Sequence, residues 1–541
     1  MKLEKTIITP TKRLSRYLNY QYTQLQLSEG KTAWSSLTCM PWQAWCQHLF
    51  RNIAFNVDQH YQLLNQQQLL WQWQDIIQRS EYSENILQVR ATAKQAIIAY
   101  ERCQQWHIPI FPDNIFLTTD ALAFKNWWQV YHQRMTDNQW LDETVLPDYL
   151  LENLQHLNID KELSFSGFDQ FTPQQLQFIE RLRKAGVTIH IEQAMARNEL
   201  VSLYEASDKQ QEILAAANWV REVQKNNPQA RIGILSPRLG QQREEMIRLL
   251  RQTLSPEQLL TDDDDKNTNW SISLGKPLSN YPIIAIALLI LNLGRRRILI
   301  NDLSKLLHSH FIHGFKDELA LRAKFDLIMR KRGLQEISLK SIYRFSEINV
   351  DGDLICPKFI QALKSFEILY LSIARKQTFR QWTETFAELL TAMGWPGDEE
   401  LDSNTYQTVD AWYDSLYQLA RLDTNDRKVS FQIALNQLRQ RLNELRYQPE
   451  TVETPVQVSG LEASAAMQFD YLWIMDMQDD VWPEPVSASP FIPLTCQHEY
   501  SLPQATASQR LQQAQRFSFF FWVYKSYSIL RPSRQKQGLT L

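Results

Sequence analysis

At 541 residues the chain is long enough for several domains, and with 44% apolar and 22% charged residues it has the composition of a folded globular protein, not a disordered or fibrous one. Lysine plus arginine is 57 and aspartate plus glutamate 60, a net charge of −3, so no global basic excess advertises nucleic acid. Glycine, at 14 residues, lies far below the usual ~7%, which predicts few glycine-dependent turns and a mostly helical fold.

The N-terminus, MKLEKTIITPTKR, has no apolar signal core, and the longest apolar run, 283–291, is short of the ~20 residues a bilayer requires. Neither secretion nor membrane insertion is expected. Cys39, Cys46, Cys103, Cys356 and Cys496 form no CxxC pair, which suits a reducing, cytoplasmic compartment and opposes a zinc ribbon.

In chain order, the β-branched run at 6–9 predicts a strand, Pro10 a turn, and RLSRYLNYQYTQLQL a helix with apolar positions at Leu14, Tyr17, Leu18 and Leu25. Residues 41–154 are helical and rich in tryptophan (42, 45, 71, 73, 106, 127, 128 and 140), read as helix-packing core in preference to a base-stacking platform. LSFSGF from Leu163, a helix from Pro173, VTIHIE from Val187, a helix near 209–225, RIGILSP from Arg231 and a helix through Leu250 alternate in the manner of a parallel sheet. Residues 281–446 return to a helical pattern. Strands resume at Thr454, the last clear one being DYLWIMDM from Asp470. Two nucleotide-fold cores, each interrupted by a helical insertion, account for this order: residues 1–40 with 156–200, interrupted by 41–155, and residues 201–280 with 451–541, interrupted by 281–450.

A phosphate-binding loop needs GxxxxGK[ST] between a strand and a helix. Gly30, Lys31 and Thr32 supply GKT, but Leu25 stands where the first glycine belongs and a helix precedes the motif. The loop after the first strand, TPTKRL, holds no glycine, although Lys12 and Arg13 could touch a phosphate there. His308, His310 and His313 cluster without nearby cysteine or HExxH, so no metal site is assigned. Asp264, Asp265 and Lys266 mimic half of a carboxylate nuclease site without its partner aspartate and read as a loop. Residues 295–344 carry twelve basic and five acidic residues, a local charge of +7 against −10 for the remainder. Such segregation can follow a phosphate backbone, with Arg295, Arg296, Arg297, Arg322, Lys324, Arg330, Lys331 and Arg332 as candidate contacts; the three consecutive arginines can equally cap the apolar helix before them.

FSGFDQFTPQQ at 165–175, GWPG at 394–397 and LEASAAMQFDYLWIMDMQDDVWPEPVSASPFIP at 461–493 resemble the helicase-like proteins related to the AddB and RecC subunits of bacterial recombination nucleases. The resemblance runs over nearly the whole chain and is closest to a group of DNA repair proteins that join an inactive helicase region to a C-terminal PD-(D/E)XK nuclease domain. It implies an α/β, predominantly helical fold with two RecA-like cores of the UvrD type, each bearing a large helical insertion.

The active relatives carry DEFQD where this chain has Asp169, Gln170, Phe171, Thr172 and Pro173, so an amide replaces the water-positioning glutamate. Their AKGLEF corresponds to Ser464, Ala465, Ala466, Met467, Gln468 and Phe469, ahead of a strand ending in GMEEGMFP that is matched by 476–483. Their TRA arginine falls near VYKS at 523–526. With the phosphate loop also absent, the resemblance leaves Lys12, Arg13, Asp169, Gln170 and Gln468 as degenerate nucleotide-motif positions, with no catalytic residue and no cofactor.

The expected function is a non-motor, helicase-like subunit or scaffold that binds single-stranded DNA or duplex ends in recombinational repair, beside a helicase or nuclease partner. Two alternatives stand beside it: the front portion of a PD-(D/E)XK exonuclease whose catalytic domain is truncated, since only about sixty residues follow Pro483, and a helical protein-interaction scaffold without DNA contact.

Overall fold

A computed structural model describes residues 6–53, 61–111, 117–192, 201–257, 269–294, 297–347, 355–423, 427–449, 454–461, 464, 467, 469–503, 505–521 and 527–532. The protein is α/β and predominantly helical, with parallel sheets. It forms two compact units, Met1–Ser273 with Glu453–Leu541, and Leu274–Val452. Among the described residues no helix is long and apolar enough to cross a membrane.

Besides a short parallel pair, Gln62–Leu63 with Trp140–Leu141, the first unit contains two all-parallel sheets, of four and six strands. In the smaller, the strands run in the order Cys39–Pro41, Thr6–Thr9, Glu162–Ser166, Thr188–Glu192. The β-branched TIIT segment sits in the middle, and Ile8 pairs with Met40 on one side and Phe165 on the other. Ile8, Leu163 and Phe165 are fully buried, the signature of strands covered on both faces. Pro10 cannot continue the ladder, and Thr11 caps the helix Lys12–Ser28 by accepting from the Leu14 amide at 3.2 Å. Trp42 and Trp45 each meet Phe178 edge to face in the core that covers this sheet.

The helices between its second and third strands build a separate core. Trp73 lies between Phe124 and Tyr131, with ring centroids 6.0 and 5.0 Å away. Six of the eight tryptophans at 42–140 are buried, as helix-packing core requires. The polar centre of this block is Asp142, which accepts from Tyr100 Oη at 3.0 Å, Tyr131 Oη at 2.7 Å and the Thr144 amide at 2.8 Å. Phe491 and Ile492, far along the chain, complete the same core.

The larger sheet has the order Val201–Ala206, Tyr527–Pro532, Tyr471–Ile474, Ile232–Leu235, Val456–Ser459, Trp270–Ile272. Its centre joins segments from either side of the second helical block: Val458 is in register with Ile234 and with Ile272.

The second unit is built of helices and short two-stranded ribbons. Its most apolar helix, Pro282–Leu291, is held by Trp395, whose Nε1 donates to the Ile283 carbonyl at 3.0 Å. Trp395 belongs to GWPG, and both flanking glycines have positive φ, +71° at Gly394 and +105° at Gly397. A Cβ on Gly394 would lie 2.3 Å from His313 Cβ, and one on Gly397 2.5 Å from the His310 carbonyl oxygen. The motif is thus a close backbone approach to 310–313 that glycine alone permits.

Candidate functional site

The loop after the Thr6–Thr9 strand occupies the position from which parallel α/β sheets bind phosphate. In this chain it is closed by its own side chains. Thr11 takes the Leu14 amide, and Thr9 Oγ1 and Ser15 Oγ share a hydrogen bond of 2.6 Å. Lys12 is exposed. Arg13, half-buried, points to the larger sheet, where its guanidinium donates to Ser459 Oγ and, at 3.1 Å, to Gln457 Oε1. Ser459 and Gln457 are buried on the Val456–Ser459 strand. Beside this bridge, Leu14 and Tyr17 pack with Leu461, Met467, Phe469 and Leu472, and Arg231 donates to Tyr17 Oη at 3.1 Å. Arg13 and its helix therefore fasten the smaller sheet to the larger one. Composition and motif matching flagged Arg13 but gave no sign of its partners, which lie more than 440 residues away.

Asp169 and Gln170 are exposed on the loop after the Glu162–Ser166 strand, where Asp169 Oδ1 accepts from the Gln170 amide at 2.8 Å. The neighbouring Thr172, Pro173 and Gln175 start the helix Pro173–Lys184 with a capping box, the Gln175 side chain accepting from the Thr172 amide at 3.0 Å. The segment matched to DEFQD thus acts as a helix start. Gln468, Ala465, Ala466 and residues 523–526 lie outside the described residues, as do Asp264, Asp265 and Lys266.

A cavity of about 370 Å³ opens at the carboxyl ends of the smaller sheet's strands, bounded by Pro10, Trp42, Phe168, Asp169, Glu101 and Glu143 among others. Its charged lining consists of carboxylates. Burial, with Asp142 and Glu143 nearby, pushes Glu101 up to about 7. A phosphate placed here would meet negative charge without a compensating cation among the described lining residues, which opposes nucleotide binding.

At the corresponding end of the larger sheet stands a second buried polar group. Asp476, in the left-handed region at φ 58°, accepts from Ser236 Oγ at 2.7 Å and Gln242 Nε2 at 2.9 Å, and its own amide donates to Glu212 Oε1 at 2.9 Å. Burial raises Glu212 to about 7, reinforced by the Asp476 carboxylate and opposed by the amide it accepts. No motif singled out Asp476; an acid closing the apolar run YLWIM is the signal that could have marked it. Glu212, one acid in a helix's first turn, had none.

The basic block of the second unit divides once its contacts are known. Arg322 was a candidate DNA contact; it is fully buried, donates to Glu318 and to the His313 carbonyl, and is removed from that set. Apolar packing around Phe315 and Phe359 draws this cation inward, where Glu318 neutralises it. Arg330 is exposed but engaged, its Nε 2.9 Å from Asp326 Oδ2. Arg297 reaches Glu336 at 3.7 Å and remains 74% exposed. Lys324, Lys331 and Arg332 are exposed, with Arg332 over the Phe345 ring. Arg295 and Arg296 lie outside the described residues. His308 pairs with Asp326 and His313 with Asp398, which ties two of the three clustered imidazoles to separate carboxylates.

Comparison with known proteins finds no family model that matches the chain and no curated protein that matches it.

Proposed function

We propose that this chain is a non-motor, helicase-like DNA-binding subunit or scaffold of recombinational repair, acting beside a helicase or nuclease partner. The observation that carries this reading is the pair of all-parallel sheets, each interrupted in sequence by a helical block, with Arg13 in place of a glycine-rich loop. Two RecA-like cores would account for that order of elements. Among the described residues, a phosphate position capped by Thr11 and bridged by Arg13, beside an acidic cavity, offers no glycine-rich loop to position a triphosphate. DNA contact falls to the exposed cations Arg297, Lys324, Lys331 and Arg332.

The test is fluorescence anisotropy of a labelled forked DNA at two salt concentrations. Binding tighter than about 10 μM, equivalent to about −7 kcal/mol, and weakening with salt is the expected result. Absence of binding at that level removes the DNA role. Magnesium ATP up to millimolar concentration is expected to leave the melting temperature unchanged, because a ligand that binds only the folded state must raise it.

A further inference from the structure

Two exposed helix faces of the unit Leu274–Val452 complement each other in charge and apolar content. The first lies on Phe315–Lys331. This helix turns Phe325 and Met329 inward, while Leu319 and Leu327 stay half in water, at 50% and 51% exposure. At about 100° per residue Leu319, Ala320, Ala323 and Leu327 share one arc with Arg330, which is paired to Asp326, and Lys324 and Lys331 line one edge of it. Neither lysine has a hydrogen-bond or ion-pair partner among the described residues. Exposed leucines beside an edge of unpaired lysines gain nothing from a phosphate backbone and gain burial against a protein.

The second face lies on Ser403–Ala420. Trp412 and Leu416 pack inward, and Tyr406, Tyr413 and Tyr417 stand out, 65%, 49% and 63% exposed. Asp410 sits among these rings and has no partner among the described residues. The segment 397–420 contains six carboxylates and no lysine or arginine. Three of those carboxylates are engaged within the chain: Asp398 holds His313, Glu399 holds Lys316, and Asp402 caps the helix.

We infer that the chain self-associates by seating the Leu327–Lys324–Lys331 face of one copy on the Tyr413–Asp410 face of another. At 1.5 Å per residue, Leu319 to Lys331 spans about 18 Å and Tyr406 to Tyr417 about 16 Å, so the two faces match in length. Tyrosine rings offer apolar area to the leucines and to the lysine stems, and Asp410 meets an ammonium group. Each copy carries one face of each kind, so the contact is head to tail, or doubled about a two-fold axis. The inference does not rest on the DNA-binding reading. It competes with that reading for Lys324 and Lys331, which it assigns to the second copy, and leaves phosphate contact to Arg297 and Arg332.

Sedimentation velocity of the full chain from about 1 to 100 μM tests it. The mass is expected to rise above the 63.8 kDa of one chain as concentration increases. Lys324→Glu with Lys331→Glu, and separately Asp410→Lys, each weaken association by about tenfold or more. An equimolar mixture of the two variants regains it, because each variant supplies the charge its partner has lost. All three positions are exposed, and unchanged circular dichroism verifies that the variants are folded. A single-chain mass at the highest concentration overturns the inference, as does association insensitive to both variants. A labelled fork whose binding weakens about tenfold in the double lysine variant, with the mass still that of one chain, overturns it in favour of nucleic acid. Loss of DNA binding with association intact would sink only the DNA reading.

Discussion

Arg13 Nη2 lies 3.1 Å from Gln457 Oε1, joining the first turn of the helix after the TIIT strand to the Val456–Ser459 strand of the other parallel sheet. The guanidinium also donates to Ser459, itself held by Ser273 Oγ at 3.0 Å. One side chain thus stands where a phosphate loop would be and ties together segments from opposite ends of the sequence.

Arg13→Ala leaves the buried Gln457 and Ser459 without these donors. The expected cost is about 1–2 kcal/mol, at the lower end of charged hydrogen bonds because Arg13 is partly in water. Urea unfolding measures it. An unchanged midpoint would show that the bridge contributes nothing.

Glu212 gives the fold a dependence on pH. Its folded value of about 7 lies above the ordinary carboxyl value, so the folded state holds the proton more tightly than the unfolded chain does. This stability is complete in acid and is lost as pH rises from about 4.5 through 7, a change of order 3 kcal/mol for a shift of this size. Glu212→Gln keeps the acceptor for the Asp476 amide and removes the charge. The variant is expected to be more stable than the parent at pH 8 and equal to it near pH 4, in urea titrations at both values.

The two turns at Gly394 and Gly333 separate steric cost from conformational cost. Both have positive φ, but a Cβ on Gly394 meets His313, whereas one on Gly333 meets nothing within 4 Å. Gly394→Ala should cost about 2–4 kcal/mol and Gly333→Ala about 1 kcal/mol, the penalty of the left-handed conformation by itself. Equal thermal shifts would contradict the close approach seen at GWPG.

Arg322→Ala removes the cation that neutralises Glu318, which also accepts from the Phe359 amide at 3.1 Å. An uncompensated carboxylate in that core is expected to cost about 3–5 kcal/mol. Arg322 is fully buried, so material that stays folded should bind the labelled fork with unchanged affinity. A fall in affinity would return Arg322 to the DNA surface.

Much of the secondary structure was legible locally. The β-branched TIIT run, the Thr-Pro-x-Gln start at 172–175 and the apolar run at 283–291 each record a propensity or a cap that acts within a few residues. The tryptophans of 42–140 were also legible as core, since large apolar rings at helical spacing are buried wherever a partner helix exists.

The candidate site was legible only in part. Lys12 and Arg13 could be named from their place after the first strand, and Asp169 and Gln170 from the resemblance to DEFQD, yet nothing near Arg13 indicated Gln457 or Ser459. The cations at 295–344 formed one block in sequence and separated into buried, paired and exposed groups in space, because Arg322 faces Phe315 and Phe359 while Lys324 and Lys331 face water.

The sequence by itself determined an α/β protein dominated by helices, with strands collected near its ends and its middle. Hydrophobic period, caps and proline act over a few residues, so one chain suffices to read them. Tertiary structure alone decided which cations meet solvent, which carboxylates share a buried pocket, and that Arg13 bridges two sheets. Those outcomes depend on desolvation and hydrogen bonding between residues hundreds of positions apart, and no local pattern encodes such distances.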